Sequence, residues 1–60
     1  MSDKEVRDAY IKARYGEDAE YTKHWLTGQI TGVTVNGQKV EGIDKDNKIT
    51  FDEMRNYLAD

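Results

Sequence analysis

Apolar residues recur along the chain at two different spacings, and each spacing predicts a different kind of element. Near the N-terminus they fall three or four positions apart, on one face of a helix: Val6, Ala9, Tyr10 and Ala13. Ser2 followed by Glu5 is a capping-box pattern, in which each side chain satisfies a backbone donor of the other at a helix start. Gly16 stands where a residue with positive φ commonly ends a helix. The sequence therefore predicts a helix from Asp3 to about Tyr15.

A second helix is predicted over residues 18–27. Acidic side chains crowd the position of its first turn, where they would complement the helix dipole: Glu17, Asp18 and Glu20. Tyr21, Trp25 and Leu26 recur at helical spacing and would form its buried side. Gly28 would end the helix.

Beyond this second helix the apolar period shortens to two, which is typical of strands. The valines of this segment flank the dipeptide Asn36-Gly37, a strong hairpin signal because a type I′ turn requires positive φ at both central residues. A second reversal is expected at residues 45–47, between Ile43 and Ile49. The segment therefore predicts three short antiparallel strands.

The end of the chain repeats the capping pattern and returns to the helical period. Thr50 with Glu53 opens a helix that runs to about Ala59. Its core-facing residues would be Phe51, Met54 and Leu58. The predicted architecture is a single compact α+β domain over residues 1–60, with two N-terminal helices, a three-stranded antiparallel meander and a C-terminal helix.

Composition limits what such a domain can do. Its 60 residues suffice for one small core, and no cysteine is present to supply a disulfide or a thiolate metal ligand. The charged N-terminus and the lack of a long apolar run indicate neither a signal peptide nor a membrane span, so we expect a cytoplasmic protein with no membrane partner. Nine basic against twelve acidic residues give a net charge of −3, which argues against a surface built to neutralise phosphates.

The sequence offers little for catalysis. His24 is the only histidine, and the only serine, Ser2, occupies a helix cap. No glycine-rich motif that cradles phosphate is present. A chain of this size also has little interior from which to exclude water. We therefore expect a non-catalytic protein without a cofactor.

Residues 42–53, GIDKDNKITFDE, are similar to an EF-hand calcium loop. The side chains at the matching ligand positions are Asp44, Asp46, Thr50 and Glu53. Gly42 stands where the first ligand normally does, and the preceding residues predict a hairpin where an EF-hand has a helix. A tight turn followed by a capped helix accounts for the same residues. We therefore expect no metal, with calcium at these four side chains as the third functional possibility.

A second resemblance covers most of the chain, from about Ala13 onward. Its pieces are a glycine turn, a tryptophan on the next helix, a G-x-I-x-G-V segment and a closing helix that reads FDE…YL: Gly16, Trp25, Gly28, Ile30, Gly32, Val33, Phe51, Asp52, Glu53, Tyr57 and Leu58. This pattern resembles the winged-helix domains of excisionases and mercury-resistance regulators. The resemblance implies that the second helix enters the major groove of DNA and that the hairpin forms the wing.

The sequence leaves two binding functions open. The winged-helix resemblance implies DNA binding through polar residues of the second helix and the hairpin: Lys23, His24, Thr27, Gln29 and Lys39. Acidic residues at the start of that helix would repel phosphate, and neither element contains arginine, the favoured reader of guanine. These two features argue against DNA as the ligand.

The function that we favour is a small non-catalytic protein-binding module, acting as an inhibitor, adaptor or regulatory subunit of the kind that phages encode. Its acidic surface would face a basic partner, such as a protein that itself binds nucleic acid. Ile11 and Tyr15 form a second apolar stripe on the first helix and are candidate interface anchors. The accompanying acidic residues are Glu17, Asp18 and Glu20.

Overall fold

A computed structural model describes the whole chain, residues 1–60. The elements, in chain order, are helix α1 (Asp3–Tyr15), strands β1 (Ala19–Lys23), β2 (Ile30–Val35) and β3 (Gln38–Lys39), and helix α2 (Phe51–Ala59). The strands form one antiparallel sheet in the order β1-β2-β3. The α+β class, with an N-terminal helix, a three-stranded meander and a C-terminal helix, is confirmed, but only one helix precedes the sheet.

Helix α1 has the predicted bounds and the predicted cap. The backbone amide of Glu5 donates to the Ser2 hydroxyl over 3.2 Å, and the amide of Ser2 donates to the Glu5 carboxylate over 3.0 Å. Both orphan donors at the helix start are thereby satisfied. Gly16 ends the helix with a φ of +100°.

The prediction of a second helix over residues 18–27 is wrong. Residues 19–23 form β1, in which Ala19 and Tyr21 are half-buried while Glu20 and Thr22 are exposed. This alternation is the strand period, and it lets Tyr21 pair with Val33 of β2 across the sheet. Cross-strand packing therefore outweighs the helical spacing of the larger side chains in this segment.

The hairpin at residues 36–37 is confirmed. Asn36 has a φ of +53° and Gly37 a φ of +81°, the sign that a type I′ turn requires at both positions. The last predicted strand is reduced to a single bridge, in which the backbones of Ile49 and Ile30 exchange hydrogen bonds of 2.9 and 3.2 Å. This bridge fixes the chain at the entrance to α2.

The core lies between the two helices and the inner face of the sheet. Its buried apolar residues are Val6, Tyr10, Ile11, Ile30, Val33, Ile49 and Met54. Tyr10 is fully buried, yet its hydroxyl has a partner because the Arg14 guanidinium donates to it over 2.7 Å. Met54 is the fully buried residue of α2, as its helical period predicted.

The two helices pack against each other and bring the ends of the chain together. Asp3 of α1 and Arg55 of α2 lie 3.7 Å apart, and Arg14 and Glu53 lie 3.9 Å apart. Met1 and Ala59 line the same open groove of about 300 Å³. The first and last segments of the sequence are therefore neighbours in space.

Candidate functional site

The connection between β1 and β2, residues 24–29, exposes two adjacent large apolar side chains. We refer to this connection as the tip loop. Trp25 is 84% exposed and Leu26 is 70% exposed, although the sequence predicts both as buried. A chain with so few large apolar residues forgoes core burial when it leaves two of them in water. Adjacent exposed apolar side chains of this size are typical of contact sites.

The backbone of the tip loop is closed by hydrogen bonds at its base. The amide of His24 donates to the carbonyl of Gln29 over 2.8 Å, and the amide of Gly28 donates to the carbonyl of His24 over 2.9 Å. Gly28 has a φ of +76°, which glycine adopts without the steric penalty of a Cβ atom. The loop is therefore a defined turn with its apolar side chains at the outer end.

The His24 side chain supports this turn from within. Its Nδ1 accepts from the backbone amides of Leu26 and Thr27 over 3.1 and 3.3 Å, so the neutral ring carries its hydrogen on Nε2. The imidazole also stacks on the Trp25 indole, with ring centroids 5.9 Å apart and planes 19° apart. Both contacts restrict the positions that Trp25 and Leu26 can adopt.

Arg7 of α1 holds the base of the tip loop. This residue is only 5% exposed, and its Nη1 donates to the carbonyl of Gly28 over 3.2 Å. Its guanidinium carbon lies 5.9 Å from the centroid of the Phe51 ring. Sequence reasoning missed Arg7, because the apolar spacing of α1 predicts a buried face that excludes Arg7, whereas the observed buried face includes it.

The residues predicted as interface anchors do not form a free surface. Ile11 is 3% exposed and belongs to the core. Tyr15 is half-buried, with its ring edge-on to Tyr10 at 6.3 Å and the Arg14 guanidinium over it. The interface anchor predicted at Ile11 is therefore wrong, because its side chain is used for packing.

The predicted acidic cluster is exposed but stands apart from the tip loop. Glu17, Asp18 and Glu20 are all exposed where the chain enters β1. Glu17 forms an ion pair of 3.2 Å with Lys12. Because β1 runs from this cluster to the tip loop, the two features lie at opposite ends of one strand.

The residues predicted to contact DNA are not brought together on a helix. Lys23 ends β1, and three others belong to the tip loop: His24, Thr27 and Gln29. Lys39 lies on β3, at the opposite edge of the sheet from β1. The helix that the winged-helix resemblance places in the major groove does not form from these residues.

The segment that is similar to a calcium loop forms a tight turn. The Asp44 carboxylate accepts from the backbone amides of Asp46 and Asn47 over 2.8 and 2.9 Å, and these bonds hold its pKa below the ordinary value of 3.8. The Thr50 hydroxyl accepts from the amide of Glu53 over 3.2 Å and caps α2. No group of three or more acidic, histidine or cysteine side chains is placed to share a metal ion. Asp44 and Thr50 thus have structural partners within the chain.

Comparison of the chain with protein-family models, with curated proteins and with solved structures yields no match. Neither helix has the length and apolar character needed to cross a bilayer. The tip loop, with its exposed indole and leucine on a hydrogen-bonded turn, is the arrangement that points to a function. Chemically, it can bury apolar area in a pocket and donate one hydrogen bond through the indole N–H.

Proposed function

We propose that this chain is a non-catalytic protein-binding module, acting as an inhibitor, adaptor or regulatory subunit, and that it docks through Trp25 and Leu26. One observation supports the proposal above all others: both side chains are exposed on a loop whose own hydrogen bonds fix their position. Tryptophan is among the residues most enriched at the energetic centres of protein interfaces. A loop that is ordered before binding loses less conformational entropy on docking.

The size of the tip loop sets the kind of partner it fits. Full burial of a large apolar side chain contributes about 1.5–3 kcal/mol, so the two together supply roughly 3–6 kcal/mol before the cost of association. That is too little for tight binding by itself. The partner therefore offers an apolar pocket for the indole together with further contacts around its rim.

The charge of the chain adds a preference for a basic partner. The net charge is −3, and Glu17, Asp18 and Glu20 are exposed at the start of β1, the strand that leads into the tip loop. Such a distribution accelerates encounter with a positively charged protein, such as one that binds nucleic acid. The lack of cysteine suits a reducing compartment, so we place this activity in the cytoplasm.

A winged-helix role in DNA binding remains the weaker candidate. It requires a recognition helix, whereas Lys23 lies on a strand and Lys39 lies across the sheet from it. No specific contact among these residues favours DNA over protein. We therefore do not propose it as a second function.

The proposal is tested with a tip variant and a matched surface control. The Trp25→Ala/Leu26→Ala double variant removes the apolar tip, while Tyr57→Ala removes an aromatic side chain that is 41% exposed on α2. Proteins captured by the unaltered chain but lost with the tip variant are purified, and their affinities are measured by titration. Removal of an interface centre typically costs 2 kcal/mol or more, so we expect binding to weaken at least about 30-fold in the tip variant and little in the control.

Trp25 also provides a direct readout, because it is the only tryptophan in the chain. In the free protein its emission should be that of indole in water, fully accessible to iodide. Docking of the tip should shift the emission to shorter wavelength and protect it from the quencher. A partner that binds the tip variant as well as the unaltered chain, with no change in Trp25 emission, would show that the site lies elsewhere.

A further inference from the structure

Strand β1 forms one edge of the sheet. The hydrogen bonds that β2 makes on its other side show which backbone groups of β1 face outward. The carbonyl of Val33 accepts from the amide of Val40, so the backbone groups of Val33 face β3. In an antiparallel pair, residues alternate between bonding one neighbour and facing away from it. Tyr21, the partner of Val33, therefore directs its own N–H and C=O toward the open edge.

The same pattern holds along the whole strand. Ile30 exchanges its backbone hydrogen bonds with Ile49, so its partner on β1, Lys23, also faces outward. By the same alternation Ala19 faces the edge, where its amide has only a long bond of 3.4 Å to Gly16. Ala19, Tyr21 and Lys23 thus present a row of backbone donors and acceptors to whatever lies beside β1.

This edge lacks two features that commonly prevent pairing, a proline and a bulge on the edge strand itself. It contains no proline, and the irregularity opposite Thr22 and Lys23 places the extra residue, Thr31, in β2 and leaves β1 extended. Helix α1 does not cover the edge either. The Tyr21 hydroxyl donates to the Asp8 carboxylate of α1 over 2.7 Å, and beside this contact an open groove of about 310 Å³ lies between Ile11 of α1 and Ala19 of β1. A further strand can therefore approach β1.

Opposite charges flank the two ends of β1. The entrance is acidic, with Glu17 and Asp18 in the turn before the strand and Glu20 within it, and the exit carries Lys23 followed by His24. An antiparallel copy of the same strand brings each end against its complement. We propose that the β1 edge binds the β1 edge of a second copy of this chain, in an antiparallel pair centred on Tyr21.

The register follows from the edge-facing residues. Centring on Tyr21 sets Ala19 opposite Lys23 of the second copy, so that all of the edge-facing residues bond across the interface. Asp18, in the turn before β1, then lies at the same end of the paired strands as His24 of the second copy, whose Nε2–H can donate to the carboxylate. Lys23 lies at the end where the second copy's turn carries Glu17, within reach of its long side chain. A shift of two residues in either direction leaves edge-facing groups unpaired and takes Asp18 out of register with His24 of the second copy.

The resulting assembly is a closed dimer. Both β1 edges are paired with each other across the two-fold axis at Tyr21. The free edge that each sheet retains, β3, is only two residues long. The contact is small, so the dimer belongs to the weak, transient class of interfaces. Because the pairing is symmetric, each favourable contact occurs twice.

Sedimentation velocity of the unaltered chain, from micromolar to millimolar concentration, measures the association. We expect a shift from monomer to dimer that weakens as salt is raised, because the charge pairs are exposed. Lys23→Glu replaces attraction to Glu17 with repulsion at both symmetric sites and should weaken association about tenfold. The Lys23→Glu/Glu17→Lys double variant should restore it, and Lys39→Glu, the same charge change on β3, should leave it unaltered.

Backbone methylation distinguishes edge pairing from contacts made by side chains. It can be introduced because a chain of this length can be made by chemical synthesis. Methylation of the Tyr21 amide removes an edge donor without changing a side chain, and we expect it to abolish the dimer and leave the melting temperature of the monomer unchanged. Methylation of the Lys39 amide, on the opposite edge, is the control.

Three results would overturn the proposal. The first is a chain that stays monomeric at millimolar concentration. The second is a dimer that survives methylation at Tyr21. The third is a dimer lost in the Trp25→Ala/Leu26→Ala variant, which would place the contact at the tip loop and not along β1.

Discussion

His24 acts as a cap for backbone amides, although the sequence presents it only as an isolated histidine. Its Nδ1 accepts from the amides of Leu26 and Thr27. We expect His24→Ala to cost about 1 kcal/mol of local stability and to speed hydrogen exchange at both amides. His24→Asn should retain slow exchange, because the Asn side-chain oxygen can occupy the position of Nδ1. Equal exchange rates in the Ala variant and the unaltered chain would contradict this role.

Three carboxylates make the stability of the chain sensitive to acid. The pKa of Glu5 is lowered from 4.5 by hydrogen bonds from Ser2, and that of Asp8 is lowered from 3.8 by the Lys4 ammonium and the Tyr21 hydroxyl. The pKa of Asp44 is lowered by the turn amides that donate to it. A carboxyl group whose pKa is lower in the folded state stabilises that state above its unfolded pKa and loses this contribution as pH falls through the folded value.

The chain should therefore hold a constant free energy of unfolding down to roughly pH 5 and lose stability below it. Urea denaturation at a series of pH values measures this. The Asp44→Asn variant keeps an acceptor for the turn but no longer titrates, so its stability should fall less steeply with acid. A fall of equal steepness in both proteins would show that the turn contributes nothing to the pH dependence.

Two glycines in the connections between strands, Gly28 and Gly37, differ in the atoms that surround them. Gly28 and Gly37 both have positive φ, at +76° and +81°. A Cβ atom at Gly28 would lie 2.9 Å from Nη1 of Arg7, whereas one at Gly37 would have no atom within 4 Å. The two positions therefore separate backbone strain from side-chain crowding.

We expect Gly37→Ala to destabilise the chain by about 1 kcal/mol, the cost of placing a Cβ residue at positive φ. Gly28→Ala should cost more, about 2–3 kcal/mol, because Arg7 must also give up its bond to the tip loop. Thermal melting followed by circular dichroism compares them. If Gly28→Ala were the milder substitution, the Arg7 contact would not support the tip loop.

The elements that could be predicted from the sequence are those with local causes. Helix α1 begins at a capping box and ends at a glycine, and the hairpin turn needs only Asn36 and Gly37. All of these signals lie within a few residues of the structure that they specify. Their bounds are accordingly correct to within a residue or two.

Strand β1 could not be predicted in this way, because the contacts that stabilise it involve residues far away in the sequence. Tyr21 is held by Val33 across the sheet and by a 2.7 Å hydrogen bond to Asp8 of α1, and neither contact is visible in residues 18–27. The acidic residues before it fit a helix start equally well. Once β1 is a strand, Trp25 falls in the following turn, which explains why the tip loop was missed as a site.

For the whole molecule, stability depends on very few buried side chains. A chain of this length has a net stability of about 3–9 kcal/mol, and Met54 is fully buried at the centre of its core. Met54→Ala should cost about 2–5 kcal/mol, enough to unfold much of the population at ordinary temperature. Asn56→Ala, at an exposed position of the same helix, should change stability by less than about 0.5 kcal/mol. Urea denaturation distinguishes these outcomes, and a well-folded Met54→Ala protein would contradict the assigned core.

Some of the candidate binding residues could be assigned to the surface from the sequence, and others could not. The acidic character of residues 17, 18 and 20 was readable from the sequence, and all three are exposed. The burial of Ile11 could not be predicted from its spacing, because the buried face of α1 is rotated from the predicted one: Arg7 and Ile11 are buried, while Ala13 is exposed. Which side of a helix is covered depends on the packing of α2 and the sheet, elements that lie far along the chain.

The packing of α1 on α2 also determines how the chain can be reconnected. Met1 and Ala59 line one groove, so a short glycine-serine linker could join the two ends without displacing either helix. New ends opened between Asn36 and Gly37 would interrupt only an exposed turn. Such a circular permutant should fold with the same circular dichroism spectrum as the original chain. In the permutant, β1 and β2 would remain consecutive in sequence. A reporter fused to either new end would lie at the end of the sheet opposite the tip loop.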